Sequence, residues 1–179
     1  MALSSTLFTA QLQVADQDRH HYHNYSLKLA LHPSETEERL VARLLVWCLF
    51  ADENLKFAKG LSSSDEPDIW QHHDHGDIAH WIEVGEPEAN RLKKASRMAD
   101  KVTVLAYTRS QQTWWQKQGS AIRALPHTQV LSVESESLAP LIDGLNRHIK
   151  WQVTISEGAL YITCDEQMIE VTVSSLTDP

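Results

Sequence analysis

Glu66, Asp68 and Glu83 precede a pair of lysines, Lys93 and Lys94, and this order of acids followed by cations suits chemistry on phosphate esters. Glu83 ends the apolar run Asp77 to Gly85, which reads as a strand, and strand ends at the rim of a sheet are where such architectures place functional groups. Glu66 and Asp68 lie on the preceding strand of the same meander, so a hairpin brings them beside Glu83. Converging carboxylates repel one another unless a proton or a cation intervenes. Mg²⁺ or Mn²⁺ is the natural guest, because both favour oxygen ligands and keep waters that can be activated for attack. A positive group must then steady the phosphate, and the helix after Glu83 offers Lys94, with Lys93 behind it. Each residue also has an ordinary use: Glu83 could pair with Arg or Lys, and helix lysines are commonly solvated.

Glu38 extends the buried stripe of an earlier helix by one turn, three residues before Val41, and so points toward the interior edge. It would equally serve as an exposed first-turn acid favoured by the helix dipole. The run His72-His73-Asp74-His75-Gly76-Asp77, with His80 beyond it, contains transition-metal ligand types at a spacing that matches no metal motif, and a solvated turn is the simpler reading. Trp114-Trp115 on a helix predicts one core and one surface tryptophan; the alternative is a stacking platform for unpaired bases. The chain holds no Walker loop, no GxGxxG and no Ser or Cys nucleophile in a recognisable setting, which excludes ATP hydrolysis, nicotinamide chemistry and covalent acyl transfer.

These residues need elements to carry them. Residues 6–15 and 22–31 alternate apolar and polar side chains, the period of half-buried strands, and Asp16 to His21 joins them as a hairpin. Pro33 to Glu37 announces a helix capped by Ser34, with Glu37 returning the bond, and Val41, Leu44, Leu45, Cys48 and Leu49 form its stripe. Short strands then form a three-stranded meander between Leu55 and Gly85. A helix follows Pro87, with Ala89, Leu92, Ala95 and Ala99 inward, and Lys101 to Tyr107 is a central strand. Further on come helices at Ser110–Gln118 and Leu138–His148, a strand around Thr128–Val133, and three closing strands that pair as antiparallel hairpins. The expected fold is α/β (α+β), one domain over 1–179. A helix–meander–helix–strand core fills about 34–133, and a second, antiparallel sheet is built from the N-terminal hairpin and the C-terminal strands.

The net charge of −8 argues against a protein that simply coats nucleic acid. Its distribution is uneven, however. Residues 88–123 carry eight Lys and Arg, Arg97 among them, against Glu88 and Asp100, so this segment is +6 in an acidic chain. It is either a phosphate-facing patch or a solvated helix face balancing nearby acids. No apolar run approaches the roughly 20 residues that span a bilayer, and Met1 to Ala15 lacks the charged start and greasy centre of a signal peptide. Cys48 and Cys164 sit in apolar stretches and read as buried free thiols, which suits a cytoplasmic setting without membrane partners.

The segments His32-Pro-Ser-Glu-Thr-Glu-Glu-Arg, Gly60-Leu-Ser, Asp65-Glu-Pro, Trp81-Ile-Glu-Val-Gly, Arg91-Leu-Lys-Lys-Ala and Trp114-Trp115 resemble, in order, the signature of the YaeQ family of small bacterial proteins. The resemblance implies a fold like the PD-(D/E)XK nuclease core. Pro67-Asp68 and Glu83-Val84-Gly85 then stand for its two acidic elements, and glycine replaces the motif's lysine. It also implies that Glu38 matches the acid of the first core helix and that Lys94 takes the displaced lysine's role, with Glu66 an alternative ligand to Asp68. The implied activity is a Mg²⁺- or Mn²⁺-dependent nuclease. The alternative is a noncatalytic protein that binds nucleic acid through Lys93, Lys94 and Arg97, or binds a transcription or repair partner.

Overall fold

The computed structural model describes residues 4–178, so the first three residues of the N-terminal stretch lie outside the described residues. The chain forms two compact units, one up to Glu53 together with Glu136–Val173, the other Asn54–Ser135 with the segment from Ser174 on.

In the first unit, the alternating stretches become β1 (Thr6–Asp16) and β2 (His21–Leu31), paired antiparallel from Thr6↔Leu31 to Asp16↔His21. Phe8, Ala10, Leu12 and Val14 of β1 are buried while Gln11 and Gln13 face solvent, as a period of two requires. The closing strands β8 (His148–Ser156), β9 (Ala159–Cys164) and β10 (Gln167–Thr172) extend this sheet in the order β10-β9-β8-β1-β2. The sheet was expected to be antiparallel, and it is mixed: β8 runs parallel to β1, Thr9 opposite His148. The long connection between them leaves β8 free to arrive in either direction, which a tight hairpin turn would not allow.

Helix α1 (Glu37–Leu49) is buried from Leu40 to Cys48 on every side and not along one stripe, the pattern of a helix without a solvent face. Its cap is Thr36, whose hydroxyl accepts from the Arg39 N–H at 3.1 Å. The expected cap, Ser34, instead bonds the His32 ring at 2.7 Å. The helix expected over Leu138–His148 shrinks to a 3-10 turn and α4 (Ala139–Asp143), because Gly144 ends it and His148 already belongs to β8.

The second unit contains β3 (Leu55–Phe57), β4 (Ile69–His72), β5 (Ile78–Val84), α2 (Ala89–Met98), β6 (Ala99–Ala106), α3 (Gln111–Arg123), β7 (Thr128–Ser132) and β11 (Ser174–Ser175), in the sheet order β11-β7-β6-β5-β4-β3. The meander is antiparallel; β5, β6 and β7 are parallel and are joined by α2 and α3. Both helices pack on one face of this sheet, where Trp81, Leu92, Ala95, Val102, Val104, Trp114, Ile122 and Val130 form the core. Helix α3 runs five residues past the expected Gln118, through Gly119. A β-carbon at Gly119 would lie 2.9 Å from the Trp115 ring, so this glycine keeps the helix continuous beneath an indole. Among the described residues, no helix is long and apolar enough to cross a membrane.

Candidate functional site: an acidic pair at the end of the meander

Strand β5 delivers Glu83 to its C-terminal end, beside the first residues of α2. One step beyond the Ile69–Ile82 pair of β4 and β5, Asp68 stands opposite Glu83. The Asp68 carboxylate is fixed by the Val84 N–H, which donates to Oδ2 at 2.9 Å. Gly60, with φ of +49°, makes room for the other oxygen, since a β-carbon there would sit 2.5 Å from Asp68 Oδ1. The Gly60-Leu-Ser element is therefore a support for Asp68.

Glu83 is the unusual member. Its side chain is only 5% exposed. Oε1 accepts from Arg91 Nε of α2, and Oε2 is buried without a hydrogen-bond partner. The Trp81 indole, two residues back on the same face, makes a weak polar contact short of hydrogen-bond geometry. Burial raises the Glu83 pKa above the usual carboxylate range. Arg91 opposes that rise, and the charge of Asp68 adds to it. A carboxylate with one bare oxygen beside a second acid is a place for added positive charge.

Arg91 also donates from Nη1 to the Ser64 carbonyl at 2.8 Å and from Nη2 to the Glu66 carbonyl at 3.1 Å. Thus the main chain of Glu66 joins the site, while its carboxylate lies 3.8 Å from Lys59 Nζ. Lys93, Lys94 and Arg97 are exposed on α2, and the cation that α2 gives to Glu83 is Arg91. Glu38 is half-buried in the first turn of α1, in the first unit. The structure brings together Asp68, Glu83 and Arg91. Arg91 figured in the sequence only within the basic segment and the Arg91-Leu-Lys-Lys-Ala stretch, with no role of its own, although the helical period already sets it apart: it lies four residues before buried Ala95, at the border of the apolar stripe, whereas Lys94 falls on the far side. Among the described residues no cluster of three or more His, Cys, Asp or Glu side chains is arranged to hold a metal ion.

Gly85 explains why no lysine follows Glu83. Its φ of +115° is a conformation that L side chains rarely adopt, so a lysine there would be strained. The parallel strand end continues into Glu86, whose Oε1 accepts from the hydroxyls of Thr108 and Ser110.

The remaining sequence candidates have partners of their own. His73 pairs with Asp100 at 2.6 Å and His75 with Asp77 at 3.2 Å, on an exposed turn where the two imidazoles stack at 5.0 Å. Trp114 is in the core, donating to the Pro87 carbonyl at 2.9 Å, and Trp115 is half-buried with the Arg123 guanidinium 5.1 Å above its ring. On the opposite face of β5 from Glu83, buried His80 meets Thr103 Oγ1 at 2.7 Å, and burial, helped by Lys101, lowers its pKa to about 3. Both cysteines are free.

The fold and this acidic pair define a mixed α/β protein of two sheets with a carboxylate end to its meander. The sequence profile of the YaeQ protein family matches residues 1–173, and the chain belongs to that family. The uncharacterized YaeQ proteins of Escherichia coli K12 and Salmonella typhi are each 39% identical to it, covering 100% of this chain and 99% of theirs. The crystal structure of the YaeQ protein from Xanthomonas axonopodis pv. citri superposes with a TM-score of 0.93 at 36% identity, over 98% of this chain and 100% of that one. That from Pseudomonas syringae gives 0.93 at 38%, over 98% and 97%.

Proposed function

We propose that this protein is a Mg²⁺- or Mn²⁺-dependent phosphodiesterase acting on nucleic acid, with a variant PD-(D/E)XK site. The observation that carries the reading is the bare, buried Oε2 of Glu83 opposite Asp68. Two carboxylates suffice for a hard cation of this kind, which keeps most of its waters and takes further oxygens from a phosphate substrate. Asp68 and Glu83 would hold the ion, with Glu66 as a further acid of the same unit. The order α1, β3, β4, β5, α2, β6 also has the helix–meander–helix–strand sequence of the nuclease core. The bound cation would supply charge to the phosphodiester and a more acidic water. The chain's own part is to fix Asp68 through Val84 N–H, to hold Glu83 through Arg91, and to meet the phosphate backbone with Lys93, Lys94 and Arg97, Lys94 nearest the motif's missing lysine in role. Free thiols in a chain of this kind fit the reducing cytoplasm.

A second reading has its own support: Arg91 already neutralises one oxygen of Glu83, as in a protein that keeps the fold and binds nucleic acid, or a transcription or repair partner, without turnover. The two are separated by a thermal melt with and without Mn²⁺ on the native protein and Glu83→Ala, followed by nicking of plasmid or branched DNA. Stabilisation and nicking lost together in the variant support the phosphodiesterase. Salt-sensitive binding without nicking, weakened by charge reversal at Lys93, Lys94 and Arg97, supports the second reading.

A further inference from the structure

Arg91 is hydrogen-bonded both to Glu83 and to the loop leading into Asp68. Each of its three nitrogens is used: Nε on the Glu83 carboxylate, Nη1 on the Ser64 carbonyl, Nη2 on the Glu66 carbonyl. The loop continues through Pro67 into Asp68, so one guanidinium ties one acid of the pair to the main chain that carries the other. A main-chain carbonyl is a weaker anchor than a carboxylate, and both carbonyl bonds depend on the arginine staying where Glu83 puts it. The side chain is 34% exposed, which gives it a route into solvent, while Glu83 is almost fully enclosed.

We propose that Arg91 is an exchangeable counter-ion, occupying Glu83 and clamping the 64–66 loop until a divalent cation takes the acidic pair, so that Arg91 sets how tightly the site takes metal. This rests on the cation-binding reading of Asp68 and Glu83 given above. Two positive charges sharing one enclosed carboxylate oppose each other, and linkage makes the opposition mutual. Metal binding loosens the hold of Arg91 on the loop, and removal of Arg91 tightens metal binding. An arginine that merely buttressed the fold would have the reverse signature, because losing it would disorder the pair and weaken binding.

The test is a Mn²⁺ titration, followed by calorimetry, of the native protein, Arg91→Gln, Arg91→Lys and Glu83→Gln. Arg91→Gln is expected to bind Mn²⁺ tighter by about tenfold, within the usual range of coupling between sites. Arg91→Lys, which cannot span the carboxylate and both carbonyls, falls between it and the native protein, and it carries the test if Arg91→Gln does not fold. Glu83→Gln loses the binding. Hydrogen exchange supplies a second readout: amides of 64–66 exchange faster in native protein once Mn²⁺ is added, and in Arg91→Gln without metal. Native protein that binds Mn²⁺ through Glu83, with both Arg91 variants equal or weaker, overturns the exchange and leaves the cation site standing. No binding to native protein or to either Arg91 variant removes the cation site itself, and the exchange with it.

Discussion

Each unit buries a glutamate against arginine, and the two do so differently. Glu35, in the first unit, has a side chain only 2% exposed, and both its oxygens are engaged at 2.7 Å, Oε2 by Arg39 and Oε1 by Arg43. Arg43 in turn reaches the Ala30 carbonyl of β2 at 2.7 Å, so the pair stitches α1 to the sheet. Glu83, in the second unit, is as enclosed but has one oxygen bonded and one bare. A fully satisfied buried carboxylate is a piece of architecture. One that is half satisfied leaves an acceptor uncompensated, and burial raises the pKa of Glu83 despite Arg91.

The contrast is open to measurement, beginning with the largest effect. Glu35→Ala removes the carboxylate that Arg39 shares with the 7%-exposed Arg43 side chain, and is expected to lower stability by about 3–5 kcal/mol in denaturant unfolding. A loss under about 1 kcal/mol would erase the distinction between the two glutamates. Next comes His80, which shares β5 with Glu83 but is partnered by Thr103. Folded, it stays neutral down to about 3, whereas an unfolded histidine takes its proton near 6.5. Between those values the unfolded chain binds more protons, so stability falls as pH falls, by about 1.4 kcal/mol per unit or about 2 kcal/mol by pH 5. His80→Gln should flatten that slope in unfolding curves taken from pH 7 to 5. The smallest effect belongs to Glu83→Gln, expected to change stability by about 1 kcal/mol or less at pH 7, because a half-satisfied carboxylate gains little from its charge. Its raised folded pKa means that the native protein takes up this proton before the unfolded chain does. Stability from Glu83 is therefore fully present below the ordinary carboxylate value and is lost as pH rises through the folded value. Relative to Glu83→Gln, the native protein should gain stability as pH falls toward the ordinary carboxylate value; a shift in the opposite direction would mean that Arg91 outweighs burial.

Most of the architecture was legible because it follows from periodicity. The alternation of β1, β2 and β8 to β10, and the apolar run of β6, each have one arrangement that buries the right residues. The direction of β8 was not legible, since a strand's pattern is the same read parallel or antiparallel. The cap of α1 went to Thr36 over Ser34 because side chains compete locally for the same role, and only the His32 ring decides between them. At the site, the meander brought Glu66 or Asp68 beside Glu83 without deciding between them, because the β4–β5 register shifts at Gln71–His72 and only the paired strands fix who faces whom. The cationic partner of Glu83 was not legible either, because a segment with eight cations offers many, and the choice of Arg91 depends on the rotation of α2 against the sheet. Charge counting favours the conspicuous Lys93-Lys94 pair, whereas packing selects the cation at the stripe's edge.

The parallel pairing of β1 with β8 has a consequence for the chain as it is made. Thr9 meets His148 across 139 positions, so at about 5–20 residues per second the first strand leaves the ribosome roughly seven to thirty seconds before its neighbour exists. Throughout that interval the edge of β1 that β8 will take stays unpaired, while α1, made directly after β2, can already cover the apolar face by setting Trp47 against Tyr25. The exposed edge of β1 is thus the longest-waiting backbone edge of the first unit during synthesis.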